Sequence, residues 1–109
     1  MKLIKELMSL RGRRALITGA NGGIGRQMST TIAELGGDLV LVDKPGTEYG
    51  ELINILNDNF DIKINCLGCD LEDGNARQEL ISDISKQNDP LNILINNAAF
   101  AGTTNLPGW

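Results

Sequence analysis

The sequence predicts an α/β fold, a doubly wound parallel sheet of four strands in the spatial order 3-2-1-4 without the sheet's second half. Three observations predict it. Short apolar runs alternate with segments of helical periodicity from about residue 14 to residue 96, which is the pattern of a parallel sheet with right-handed helical crossovers. The run Leu39-Val40-Leu41-Val42 is apolar throughout, as in a strand buried on both faces. A glycine-rich turn, Thr18-Gly19-Ala20-Asn21-Gly22-Gly23-Ile24-Gly25, stands between the first strand and the first long helix, where such folds hold a diphosphate.

Residues 2–10 carry Leu3, Ile4, Leu7 and Met8 at helical spacing, so residues 1–9 read as an extension or a short amphipathic helix. Arg14 to Thr18 is the first strand. In the next helix Ile24, Met28, Ile32 and Leu35 share one face, which predicts that this face packs on the sheet, and Gly36-Gly37 stops it. Leu39 to Val42 forms the second strand, ending at Asp43. Lys44-Pro45-Gly46 breaks the pattern, and Thr47 is positioned to cap a helix with Leu52, Ile55 and Leu56 inward. Ile62 to Leu67 is the third strand. Asp73 is a candidate cap for a helix bearing Leu80, Ile81 and Ile84, and Leu91 to Asn96 is the fourth strand. Residues 10–109 thus read as one dinucleotide-binding domain, a partial Rossmann-like fold.

Composition excludes several functions. The chain has 109 residues and a net charge of −4, and nucleic-acid surfaces need clustered Lys and Arg. Its basic cluster, Arg11, Arg13 and Arg14, reads as a solvated approach to a buried strand. No apolar run approaches the about 18 residues of a membrane span, and Lys2, Lys5 and Glu6 interrupt any secretory signal. The expected setting is cytoplasmic. The chain contains no His, which removes Ser-His-Asp and Cys-His nucleophile systems. Cys66 and Cys69 form a Cys-x-x-Cys, but a zinc site needs two more ligands and a redox pair needs a helix N-terminus; both cysteines read as small apolar residues at the end of a buried strand.

The chemistry resides in the glycine turn. Glycines at 19, 23 and 25 let backbone N–H groups approach a pyrophosphate, with the positive end of a helix dipole aimed at it. A structural turn without ligand is the competing reading. No Lys-Ser or Lys-Thr follows, so this is no nucleoside-triphosphatase phosphate loop. Asp43 stands 18 positions beyond Gly25, close to the roughly 20-residue offset at which an acidic side chain reaches the adenosine ribose. Its carboxylate would accept from the 2′- and 3′-hydroxyls and repel a 2′-phosphate, which favours NAD over NADP.

These residues resemble the short-chain dehydrogenase/reductase family. Thr18-Gly19-x-x-x-Gly23-x-Gly25 looks like its cofactor motif, Leu10 to Ile17 like the lead-in to its first strand, Cys69-Asp70-Leu71 like its adenine site, and Asn96-Asn97-Ala98-Ala99 like the Asn-Asn-Ala-Gly that ends its fourth strand. Four motifs in order cover about residues 9 to 102. The resemblance implies that Gly19, Asn21, Gly22, Gly23, Ile24 and Gly25 line the pyrophosphate, Asp43 the ribose, Asp70 and Leu71 the adenine, and Asn97 and Ala98 the nicotinamide side. Asp70 as a helix cap and Asn96-Asn97 as a plain turn remain the alternatives. Ala99 departs from the family's Gly.

The resemblance also implies a catalytic Ser and a Tyr-x-x-x-Lys that this sequence does not contain. Its one Tyr, Tyr49, is followed four positions later by Ile53, so no catalytic residue is assigned and no metal is expected. The expected function is the NAD-binding N-terminal part of an alcohol/carbonyl oxidoreductase, cut before its catalytic half and inactive alone. The alternative is a stand-alone nucleotide-binding or interaction module. The tail from Phe100 to Trp109 is expected to leave the nicotinamide side, and the fourth strand's open edge to invite self-association.

Overall fold

The computed structural model describes residues 3–87 and 89–98. In chain order the elements are α1 (Ile4–Leu7), β1 (Arg14–Thr18), α2 (Gly23–Glu34), β2 (Asp38–Asp43), α3 (Leu52–Asn59), β3 (Ile64–Gly68), α4 (Gly74–Ser85) and β4 (Ile93–Asn96). All strand pairs are parallel and the sheet order is β3-β2-β1-β4, as the alternation of runs and periodic segments predicts. Residues 99–109, the expected exit from the nicotinamide side, lie outside the described residues.

The sheet separates two apolar layers. Ile17, Leu39 and Leu41 point to the side of α2 and α3, where they meet Ala33, Tyr49, Leu52 and Leu56. Leu16, Val40 and Val42 point to the other side, with Cys69 and the half-buried Leu80 and Ile84 of α4. The central strands β1 and β2 therefore bury both faces, which is why they read as unbroken apolar runs. Residue 94 pairs with Leu16 across the sheet, yet Leu94 is 66% exposed and is not among the residues packed on this layer.

Several expectations are corrected. The inward stripe of α2 is Gly25, Ser29 and Ala33, one position on from the predicted one; Ile24 is 67% and Met28 38% exposed. Large side chains would hold the helix off the sheet, and small ones let its backbone approach. Thr47 does not cap α3: its hydroxyl donates to Lys44 O at 2.6 Å, and the helix begins later, at Leu52, with Glu51 as its N-cap residue. Ile55 and Ile81 face outward. The strands β3 and β4 each start two residues later than predicted, since Asp38 Oδ1 accepts from Lys63 N at 2.8 Å and Asn92 Oδ1 accepts from Arg14 N at 3.0 Å, side chains standing in for ladder partners. Arg14 is not solvated: it is buried, and its Nη1 donates to Asp89 O at 3.0 Å. Cys69 is buried but Cys66 is exposed on the edge strand, and both are free. Asp73 caps α4 as predicted, accepting from Asn75 N at 3.0 Å.

Candidate functional site

The residues proposed from the sequence to hold the cofactor lie at or just beyond the carboxyl ends of the four strands. This is the edge of an open α/β sheet where ligands bind. The glycine turn follows β1, Asp43 ends β2, Asp70 and Leu71 follow β3, and Asn97 and Ala98 follow β4.

The turn is shaped by its glycines for two different reasons. Gly19 has φ +62°, a conformation L side chains rarely adopt, and a Cβ there would lie 3.0 Å from the Ala98 Cα. At Gly25 a Cβ would run into the Gly19 carbonyl oxygen and lie 2.8 Å from the Ala20 Cα. These two are required by packing. Gly23 is not: its backbone is ordinary and a Cβ there meets nothing within 4 Å. It opens α2, whose N-cap Gly22 offers no side-chain acceptor. Among the described residues the N–H groups of Gly23, Ile24 and Gly25 take no backbone acceptor, which leaves them available to an anion. Ile24 beside them is exposed. Among the described residues Asn21 Oδ1 is buried without a hydrogen-bond partner, a condition native proteins rarely leave unanswered. These features fit a pyrophosphate-containing cofactor.

Asp43 is half-buried, and its two oxygens are held by backbone: Oδ2 accepts from Asn21 N at 2.9 Å and Oδ1 from Lys44 N at 2.8 Å. Its own carbonyl accepts from Cys69 N at 2.8 Å, so the start of the β3–α4 connection sits next to it. There Asp70 is exposed and its Oδ1 accepts from Glu72 N at 3.0 Å; it shapes a local turn, while Asp73 takes the helix-capping task. Leu71 is half-buried against the α4 layer, and Arg77 donates to its carbonyl oxygen. A cavity of about 320 Å³ opens between β3 and α4 beside Asp70. Burial pushes the Cys69 thiol up, with Asp70 adding to the same direction.

On the other flank Thr18 joins β1 to the end of β4. Its Oγ1 accepts from Asn97 N and Ala98 N, each at 3.0 Å, and donates to Asn96 Oδ1 at 3.1 Å. Asn97 Nδ2 donates to Gly19 O at 3.3 Å. The Asn-Asn-Ala segment is thus a splice between strand ends and the glycine turn. Arg26 was missed from the sequence. Its Nε donates to Asn21 O at 3.2 Å and its Nη2 to Tyr49 O at 2.6 Å; its place one residue after the last glycine of the turn was the available signal.

A sequence profile of the short chain dehydrogenase family matches residues 13–107. The chain belongs to that family. Among its relatives, the 3-oxoacyl-[acyl-carrier-protein] reductase of Rickettsia felis is 33% identical over 98 residues, covering 90% of this chain and 37% of that protein. The NADPH-dependent 3-quinuclidinone reductase of Rhodotorula rubra superposes with a TM-score of 0.73 at 26% identity, over 86% of this chain and 35% of that one. A Haemophilus structure with bound NAD shares the fold at a TM-score of 0.73 and 19% identity, over 93% of this chain and 36% of that one. This short-chain dehydrogenase sequence spans about a third of the length of the relatives it matches. It corresponds to their N-terminal nucleotide-binding region, and the family binds nicotinamide dinucleotides. No helix among the described residues is long and apolar enough to cross a membrane.

Proposed function

We propose that residues 10–109 form a dinucleotide-binding domain that takes NAD in preference to NADP, within an oxidoreductase interconverting an alcohol and a carbonyl. The observation that carries the preference is the Asp43 carboxylate, held beside the turn by the Asn21 N–H at 2.9 Å. Each oxygen keeps a further lone pair for a ribose hydroxyl, and its charge opposes a 2′-phosphate. The first turn of α2 would hold the pyrophosphate, with Gly19, Asn21, Gly22, Gly23, Ile24 and Gly25 around it; Asp70 and Leu71 would meet the adenine, and Asn97 and Ala98 the nicotinamide ribose. When bound, the dinucleotide supplies or accepts a hydride at its nicotinamide ring. This chain's own residues bind and orient it, and no proton-transfer residue is assigned among them. Two free cysteines agree with a cytoplasmic setting.

Calorimetric titration tests the reading. NAD should bind more tightly than NADP, and Asp43→Ala should weaken NAD while narrowing the difference. Equal affinity for the two dinucleotides would overturn the preference, and NAD affinity indifferent to Asp43→Ala and to Gly25→Val would overturn the site.

A further inference from the structure

Residue 21 is pinned from both sides. Its N–H donates to Asp43 Oδ2 at 2.9 Å and its carbonyl accepts from Arg26 Nε at 3.2 Å. The same guanidinium donates through Nη2 to Tyr49 O at 2.6 Å. Asp43 and Tyr49 bracket the connection that leaves β2, so this relay ties the glycine turn to both ends of the neighbouring loop. Arg26 is half-buried, and no carboxylate of the described residues forms an ion pair with it; its partners are two backbone carbonyls. An arginine fork suits this arrangement because two donors are fixed in one plane, which a lysine ammonium on a flexible stem does not reproduce. Building on the dinucleotide reading above, we infer that Arg26 is a positioning residue for the dinucleotide: it fixes Asn21 so that the turn and the Asp43 carboxylate meet the ligand already aligned. Arg26 acts through Asn21 and Asp43, and its contribution therefore depends on Asp43 being present.

The test is a double-mutant cycle read by NAD titration of the purified chain, with Arg26→Met, Asp43→Ala and the double variant, and with thermal melts as the check on folding. Arg26→Met should lose about tenfold in affinity, in keeping with loss of hydrogen bonds from a charged donor, and the double variant should lose clearly less than the product of the single losses. Arg26→Lys should stay as weak as Arg26→Met. Multiplying losses, or full recovery by Arg26→Lys, would overturn the inference. The amide resonance of Asn21 in the ligand-free chain gives a second readout: it should move in Arg26→Met as well as in Asp43→Ala, and an unmoved resonance in Arg26→Met overturns the relay whatever the titration shows. Absence of NAD binding by the unsubstituted chain would instead overturn the proposed function, and the resonance would still decide the relay.

Discussion

Gly19 and Ala98 meet backbone to backbone: a Cβ built on Gly19 would stand 3.0 Å from the Ala98 Cα and 3.1 Å from its nitrogen. The start of the glycine turn and the exit from β4 are thus pressed together, at a residue whose φ of +62° already disfavours any side chain. Gly19→Ala should destabilise the fold by about 1–3 kcal/mol, from left-handed strain and from the crowding it forces. Denaturant titration checks this, and an unchanged midpoint would refute the contact.

The glycines of the turn should separate by purpose. Gly25→Ala forces a methyl group into the Gly19 carbonyl and the Ala20 backbone and should be among the most destabilising single changes. Gly23→Ala should leave stability unchanged or raise it by up to about 1 kcal/mol, as alanine replaces glycine at the start of a helix, while weakening NAD binding. Melting curves and titrations on the same samples distinguish the two, and NAD affinity undiminished in Gly23→Ala would remove the case for a ligand at that open face.

Thr18→Val keeps the shape and removes the hydroxyl. Two backbone amides, of Asn97 and Ala98, then lose their acceptor, at about 1–3 kcal/mol for each group left unpaired and away from water. Thr18→Ser should recover most of the loss. Hydrogen exchange at those two amides is the direct measurement, and it should accelerate only in the valine variant.

Tyr49 is the sequence's one tyrosine, and burial, with smaller contributions from Cys66 and Asp43, pushes its phenol up to about 12 from an ordinary 10.0. The fold therefore favours the protonated phenol. Its contribution is fully present below about pH 10 and declines as the pH rises toward about 12, because the unfolded chain loses its proton first. Tyrosinate absorption should show a native midpoint well above that in denaturant. Tyr49→Phe should flatten this part of the stability profile; the raised thiols of Cys66 and Cys69 leave a residual decline of the same sign. A native midpoint at the denatured value would contradict the burial.

Leu94 is 66% exposed on β4 and Leu91, two residues before the strand, is 38% exposed; the strand pairs with β1 alone among the described residues. Such a strand invites pairing between copies. Sedimentation should show concentration-dependent association of the chain, reduced in Leu94→Lys; a chain that stays monomeric at every concentration would refute it.

Strand order, the positions of the site motifs and the Asp73 cap were legible in the sequence because each rests on local chemistry: continuous apolar runs, glycines next to a strand end, a carboxylate two residues before a free N–H. The inner face of α2 was not. Hydrophobic periodicity selects Ile24 and Met28, but the helix is held close to β1 by Gly25, and only the small stripe through Ser29 and Ala33 fits that approach. Arg14 and Arg26 escaped for a related reason. Their acceptors are backbone carbonyls of residues far away in the chain or beyond a turn, and a carbonyl carries no sequence signature.

The Thr18 hydroxyl, with two amides donating to it and its own proton given to Asn96, has spent its whole bonding capacity on the end of β4. Sliding β4 by one residue would exchange which amides point at it, so this single oxygen works as an end stop for the strand. The end of β4 through Ala98 is accordingly held at a fixed point. Anything built onto this sheet, by nature or by a designer grafting a new loop, inherits that starting coordinate from one atom in β1.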